Sequence, residues 1–371
     1  MDKVLGIICE YNPFHVGHSY HIAASELLMG EHAPVVCVMS GDFVQRGEPA
    51  VFPKHKRAEA AVRSGADLVV ELPVNWCLSS AEYFARGGVS ILSALGVTHL
   101  SFGSESGDIA ALKNLAEQMK GEVFDERLRA YIKANPEKPY ASAVAETACS
   151  DILGSPNNLL GVEYIRAIEA LCPSMEPITV KRYTHHDGAD SAMAIREKIY
   201  SGEISAEHID REKFQIAALS RLRMFDKEYY NSLPNAHGGL GARVYEAVRR
   251  GGTLDEIYSF AKTKRFSLSA VRRLVMCAAL GLEEGVYLSA PPYIRVLAFN
   301  EKGREHLASA ASKSPIPVIT RPKEIYALGE NAQKVFAAGA YAKDLYQLAM
   351  PYFDGNSCGN DYRTGPIIVK N

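Results

Sequence analysis

The stretch "ICEYNPFHVGHSYHI", residues 8–22, decides how the first third of this chain folds. It leaves an apolar run, turns through Asn12-Pro13 and enters a helical pattern in which His15 and His18 flank Gly17. Pro13 suits the turn because its ring fixes φ, and a helix that opens there begins with N–H groups that lack intrahelical partners. Such a junction offers an anion both those donors and the positive end of the helix dipole. Gly17 lets a phosphate or a flat base approach backbone where a Cβ would otherwise stand. His15 and His18 are then placed to donate hydrogen bonds to phosphate oxygens as charge builds during attack at phosphorus. The alternative is an ordinary polar helix start with Pro13 setting the turn. Four positions of an H-x-G-H pattern do not separate the two; the strand pattern before them and the amphipathic helix after them favour the phosphate site.

Outward from this junction, short apolar runs alternate with amphipathic helical patterns. "KVLGIICEY", "APVVCVMSG", "ADLVVELP" and "VTHLSFGSE" read as strands, and "GHSYHIAASELLMG", "PKHKRAEAAVRSG" and "SAEYFARGGVSILSALG" as the helices between them. Apolar strands separated by helices imply right-handed crossovers and a mainly parallel sheet covered on both faces, with ligands at the carboxyl ends of the strands. Helical patterns follow, and "EPITVKRYT", residues 176–184, is expected to return to the sheet. From residue 188 onward the chain reads as helices and then a shorter mixed segment with "PPYIRVLAFNEKG" and "SPIPVITRP". The expected organisation is an α/β nucleotide-binding domain over residues 1–187 and a mainly α-helical domain over 188–371.

With 371 residues, 47% of them hydrophobic, the chain is long enough for two ordinary cores. A net charge of -2 excludes a uniformly basic nucleic-acid binder but leaves room for a local basic face. Seven scattered cysteines without a C-x-x-C pair argue against a disulfide frame or zinc ribbon, and Cys9 and Cys37 follow the strand pattern as packing residues. No run is long and apolar enough to span a bilayer, and the expected location is cytoplasmic.

Outside the opening motif, Asp42, Gln45 and Arg46 fall in a loop after a strand, and Lys54, Lys56 and Arg57 begin a helix; they read either as groups closing over a nucleotide or an RNA backbone, or as a surface loop and a charged helix face. Positive charge gathers at Lys262, Lys264, Arg265, Arg272 and Arg273, with Arg221 and Arg223 elsewhere, and this cluster is read as RNA-binding. Phe266 either stacks an unpaired base or joins the core. His185, His186 and Asp187 look like a metal trio, but neighbours on an extended chain point to opposite sides, so no protein metal site is expected.

The H-x-G-H segment "EYNPFHVGHSYHI" resembles the nucleotidyltransferase superfamily that includes class I aminoacyl-tRNA synthetases and pantetheine-phosphate adenylyltransferases. "MSGDFVQRGEPAVFPKHKRAEAAVRSGADLVVELP", "SPNNLLGVEYIRAI", "AKTKRFSLSAVRRLVMCAALG" and "IPVITRPKE" narrow the resemblance to the bacterial tRNA(Met) cytidine acetate ligases, across most of the chain. The resemblance implies a Rossmann-like nucleotidyltransferase domain with a parallel sheet, followed by a mainly α-helical tRNA-binding domain. It implies a ligase in which ATP and acetate form acetyl-adenylate and the acetyl group passes to the N4 amine of the wobble cytidine of elongator tRNA(Met).

Carried onto this sequence, it implies nucleotide contacts from Ile7, Ile8, Cys9, Glu10, Tyr11, Asn12, Pro13, Phe14, His15, Val16, Gly17, His18, Ser19 and Tyr20, and from Gly103, Asn157 (or its neighbour Asn158) and Arg182. His15 and His18 are the catalytic pair. Magnesium would arrive with the ATP phosphates, and neither a membrane nor an obligate protein partner is implied. Two other readings stay open: a small-molecule adenylyltransferase acting on a phosphate ester, against which the basic helical second half speaks, and a noncatalytic nucleotide-responsive RNA-binding protein, which would not demand both histidines.

Overall fold

In strand β1 (Leu5–Cys9), Leu5 and Ile7 face one side and Ile8 the other, and all three are buried. β2 (Val35–Ser40) repeats the pattern, with Cys37 and Met39 on the first side and Val36 and Val38 on the second. Strands apolar on both faces need a helical layer on each, which parallel crossovers supply. Helices Val16–Met29 and Lys54–Arg63 cover the first face through Ile22, Met29, Ala58 and Val62. Helices Ala81–Ala94 and Pro156–Leu171 cover the second through Phe84, Val89, Val162 and Ile165. The computed structural model describes residues 3–30, 33–182, 191–352 and 358–370.

The remaining strands are β3 (Phe43–Val44) and β4 (Glu48–Pro49), which form a small antiparallel hairpin, then β5 (Leu68–Leu72), β6 (His99–Ser104), β7 (Glu176–Lys181), β8 (Ile294–Phe299), β9 (Val318–Ile319) and β10 (Ile367–Ile368). The main sheet runs in the order β10-β8-β5-β2-β1-β6-β7, with β9 also on β8. All pairs in it are parallel except β5 with β8. The α/β class and the sheet expected from the first third are what the chain adopts.

The division at residues 187 and 188 does not survive as two consecutive domains. β8, deep in the second half, pairs antiparallel with β5, and all six residues of "IRVLAF" are buried. The physical reason is plain: a short apolar run announces a fully covered strand but not the strand it pairs with. The helical core proper is built by helices Arg211–Leu222, Leu240–Arg250, Leu254–Ala261 and Leu268–Leu280. Helix Glu330–Gln347 joins the layers, with Val335 and Phe336 in the sheet core and Leu345 and Tyr346 in the helical one.

A buried ionic cluster locks the last segment to the sheet. Lys54 Nζ lies 2.8 Å from Glu71 Oε1 and 2.6 Å from Asp361 Oδ2, and Arg295 Nη1 lies 2.7 Å from the same Asp361 oxygen. Asp42 accepts the Lys54 N–H (2.8 Å) and faces Lys343 Nζ at 3.7 Å. Three cations and three carboxylates balance, as buried charges must. Lys54, expected on a charged face or over a ligand, is thus part of the interior.

Candidate active site

The carboxyl end of β1 meets the N-terminus of helix Val16–Met29 through Glu10–His15, and the two histidines make that start themselves. The Gly17 N–H donates to His15 Nδ1 (3.0 Å), and the His15 N–H donates to His18 Nδ1 (3.2 Å), a reciprocal cap made by two imidazoles. Each Nδ1 is an acceptor, so each neutral ring carries its hydrogen on Nε2. The rings lie 3.9 Å apart between centroids, and Tyr11 packs edge-on against His18 at 4.8 Å. Burial, followed by the charges of His15, His21 and Arg182, pushes His18 well below the usual imidazole range. His18 is therefore neutral at pH 7, with its hydrogen on Nε2.

Gly17 owes its place to His15. A Cβ there would stand 2.8 Å from His15 Cε1 and 3.1 Å from Nδ1. One turn on, His21 Nε2 lies 2.9 Å from Ser101 Oγ, which also meets Ser25 Oγ at 2.6 Å, and this hydrogen-bonded trio fixes the helix on β6. His21 is a site neighbour that the H-x-G-H pattern leaves out; its i+3 spacing from His18 on one helix face is the signal that points to it.

Of the residues read as nucleotide contacts, Ile7 and Ile8 lie in the two core faces and offer a ligand only backbone. Cys9 borders the first core, and burial pushes its thiol up. Glu10 accepts the Gln45 N–H at 2.7 Å, and burial raises its carboxyl. Tyr11 and Asn12 are buried: the Tyr11 hydroxyl lies 3.5 Å from Cys37 Sγ, and Asn12 Oδ1 accepts the Val51 N–H at 2.8 Å. Pro13 is buried beside them, after a cis peptide bond. Phe14, His15, Gly17, His18 and Ser19 are half-buried, while Val16 and Tyr20 are exposed, so the motif from Phe14 onward forms the rim.

Gly103 and Arg182 come together at the ends of β6 and β7. The Arg182 N–H donates to the Ser104 carbonyl (2.9 Å), and a Cβ on Gly103 would stand 3.3 Å from Arg182 Cγ, so the glycine seats the arginine. Arg182 in turn acts electrostatically on His18 and His21. The asparagine doublet divides its labour. Asn158 is buried, with Oδ1 accepting the Glu105 and Ser106 N–H groups (3.0 and 3.2 Å) and Nδ2 donating to Ile152 (3.0 Å). Asn157 is half-buried and donates to Glu105 Oε1 at 2.6 Å.

Two arginines not expected behind the motif brace it. Arg57, 1% exposed, donates to the carbonyls of Phe52, Glu10, Ser40 and Gly41, fastening the ends of β1 and β2. Arg196 donates to the Asn12 carbonyl at 2.5 Å. Neither has a local sequence signal for this role, because the β1 end that each holds is distant in the chain. Lys56 is exposed over the Phe52 ring, and Arg46 is exposed at the hairpin tip.

The basic cluster splits. Lys262, Lys264 and Arg265 lie on the loop between helices Leu254–Ala261 and Leu268–Leu280, and all three are exposed. Arg272 pairs with Glu48 (3.3 Å) and lies over Tyr258, while Arg273 is turned inward and burial lowers its pKa. Phe266 is half-buried and packs against the helical core with Arg265 above its ring. His185, His186 and Asp187 lie outside the described residues. Among those described, no group of three His, Cys, Asp or Glu is arranged to hold a metal, and no helix is long and apolar enough to cross a membrane.

Comparisons with known proteins show the family. The family model described as HIGH Nucleotidyl Transferase matches residues 2–360. The tRNA(Met) cytidine acetate ligase of Thermoanaerobacter sp. (strain X514) is 33% identical, over 97% of this chain and 98% of its own. That of Caldicellulosiruptor saccharolyticus is 36% identical, over 84% and 86%. A crystal structure of Thermotoga maritima TmcAL bound with alpha-thio ATP superposes with a TM-score of 0.88 at 27% identity, covering 100% of both chains. The chain belongs to the HIGH nucleotidyl transferase family and, within it, to the tRNA(Met) cytidine acetate ligases.

Proposed function

We propose that this protein is an ATP-dependent, AMP-forming ligase that activates acetate as acetyl-adenylate and transfers the acetyl group to the N4 amine of the wobble cytidine of elongator tRNA(Met). The observation that carries the proposal is the reciprocal His15–His18 cap, which holds two Nε2–H donors at a helix N-terminus beside Arg182. Relatives named for this activity, and a structural neighbour bound with an ATP analogue, support it.

In the first step the acetate carboxylate attacks the α-phosphorus of ATP and diphosphate leaves. The His15 and His18 N–H groups and the Arg182 guanidinium stabilise the charge that grows on the phosphate oxygens, with the helix N-terminus aiding them. Asn157 and the backbone at Gly103 would complete the nucleotide contacts. In the second step the cytidine N4 forms a bond to the acyl carbon as the bond from that carbon to the AMP oxygen breaks, the electron pair leaving with AMP and one N4 proton passing to water. A mixed anhydride provides the leaving group that acetate lacks, so no covalent enzyme intermediate is needed. Magnesium would ride on the ATP phosphates and neutralise their charge; Asp42, in the loop that follows β2, is already held by Lys54 and Lys343.

Lys262, Lys264 and Arg265 would contact the tRNA backbone, with Arg272 at the margin of that face, and the reaction would take place in the cytoplasm. The test is acetate-dependent exchange of label between diphosphate and ATP. The wild-type protein is expected to catalyse it and His18→Ala to lose it while still binding tRNA; normal exchange by that variant would defeat the assignment of His18.

A further inference from the structure

The β3–β4 hairpin lies between the nucleotide motif and the basic helices. On one side the Gln45 N–H holds Glu10, as described. On the other, Gly47 adopts φ +76° against helix Leu268–Leu280, where a Cβ would stand 2.4 Å from the Arg273 nitrogen; only glycine permits both the conformation and the approach. Next to Gly47, at the start of β4, is Glu48. Its Oε2 is 3.3 Å from Arg272 Nη1, and its Oε1 is 4.0 Å from Arg196 Nη2. Arg196 is the residue that holds the carbonyl of Asn12, which lies between Glu10 and His15 in the motif. The three side chains are 17–28% exposed, so water screens their charges only in part.

One carboxylate is thus divided between two guanidiniums, close to Arg272 and at the limit of an ion pair with Arg196. An RNA phosphate arriving at Arg272 would supply the anion that Glu48 now provides, since guanidinium binds phosphate as well as it binds carboxylate. Among the described residues Arg196 is the other cation within ion-pair distance of Glu48, and the released carboxylate would close on it. We propose, resting on the RNA-ligase reading above, that Glu48 is a positioning residue through which RNA bound at the basic face steadies Arg196 and Asn12, so that tRNA binding tightens the binding of ATP. Linkage makes the effect reciprocal: ATP tightens the binding of tRNA by the same factor.

The experiment titrates α,β-methylene-ATP, which adenylate formation cannot consume, into the protein with and without saturating unmodified tRNA. In the wild type the tRNA is expected to raise nucleotide affinity about fivefold, within the usual range of coupling between sites. In Glu48→Gln the ratio is expected to fall to near one, while each ligand alone binds within about twofold of wild type, as the removal of one partly exposed pair allows. Glu48→Asp, which keeps the charge on a shorter arm, is expected to restore part of the coupling, which a hairpin acting only as scaffold would not do. Arg196→Lys, the second arm, is expected to lose it. An unchanged ratio in Glu48→Gln, coupling retained in Arg196→Lys, or a wild-type ratio of one while tRNA binds, overturns this proposal and leaves the ligase reading standing. Failure of the wild type to bind tRNA at all overturns both.

Discussion

Gly17→Ala separates two reasons for a glycine inside an H-x-G-H sequence. If the glycine exists to let a nucleotide approach the backbone, alanine raises the KM for ATP. The structure points instead to the His15 ring, 2.8 Å from where the new Cβ would stand and closer than real Cβ contacts come. The ring must move, and its 3.0 Å bond from the Gly17 N–H goes with it. Removing a cap costs about 1 kcal/mol of stability, and replacing glycine within a helix returns up to about 1 kcal/mol, so the net change is small. Catalysis is less forgiving: displacing a catalytic group by ~1 Å costs on the order of 10²-fold. The assay is acetate-dependent ATP–diphosphate exchange with kcat and KM determined separately, alongside urea unfolding. The expected result is an unchanged unfolding midpoint, a little-changed KM and a kcat lower by about two orders of magnitude. A variant with kcat within about twofold of wild type would refute the link between His15 geometry and chemistry.

Asp361→Asn leaves Lys54 and Arg295 facing Glu71 alone, and breaking a buried charge cluster in this way costs about 3–5 kcal/mol, read as a lowered urea midpoint; an unchanged midpoint would show that the cluster contributes nothing net. His21, lowered to about 4 by burial and then by Arg182, binds its proton near pH 6.5 once unfolded. The unfolded chain therefore binds more protons between those values, and stability is full above pH 6.5 and falls towards pH 4 by up to about 3 kcal/mol. His55, lowered to about 3 first by burial, adds in the same direction. His21→Asn is expected to flatten that acid limb in melting curves recorded against pH, and superimposable limbs would contradict it. Replacing Lys262, Lys264 and Arg265 together with Ala is expected to weaken tRNA binding and reduce the salt slope by about 2–3, roughly one for each phosphate that the variant no longer neutralises; a slope equal to wild type would remove this loop from the interface.

Strands β1, β2, β5, β6 and β7 of the main sheet were legible because each carries a mainly apolar stretch and the helices between them carry their own period, whereas the short β3–β4 hairpin read as a loop. The H-x-G-H segment stood out because its glycine and both histidines lie within four residues, but the reciprocal cap that the histidines form had no signal of its own. What escaped was long-range. "PKHKRAEAAVR" has the composition of a solvated helix face, yet Lys54 and Arg57 are buried because Glu71, Asp361 and four backbone carbonyls wait for them, and no spacing along the chain ties Lys54 to a partner as distant as Asp361. Arg295 hid in the same way inside an apolar strand. The basic cluster looked continuous, but the helix beginning at Leu268 turns Arg272 to Glu48 of the hairpin and Arg273 inward, and leaves the preceding loop outside. Asn157 and Asn158 were equivalent as letters; burial and three hydrogen bonds from its side chain commit Asn158 to the β6 exit.

The most direct measurement incubates the purified protein with magnesium, ATP, labelled acetate and bulk bacterial tRNA lacking the modification, then analyses nucleosides by mass spectrometry. Labelled N4-acetylcytidine confined to elongator tRNA(Met), with AMP and diphosphate formed in equal amounts, is the expected result. Absence of both that nucleoside and acetate-dependent diphosphate exchange would contradict the proposed reaction.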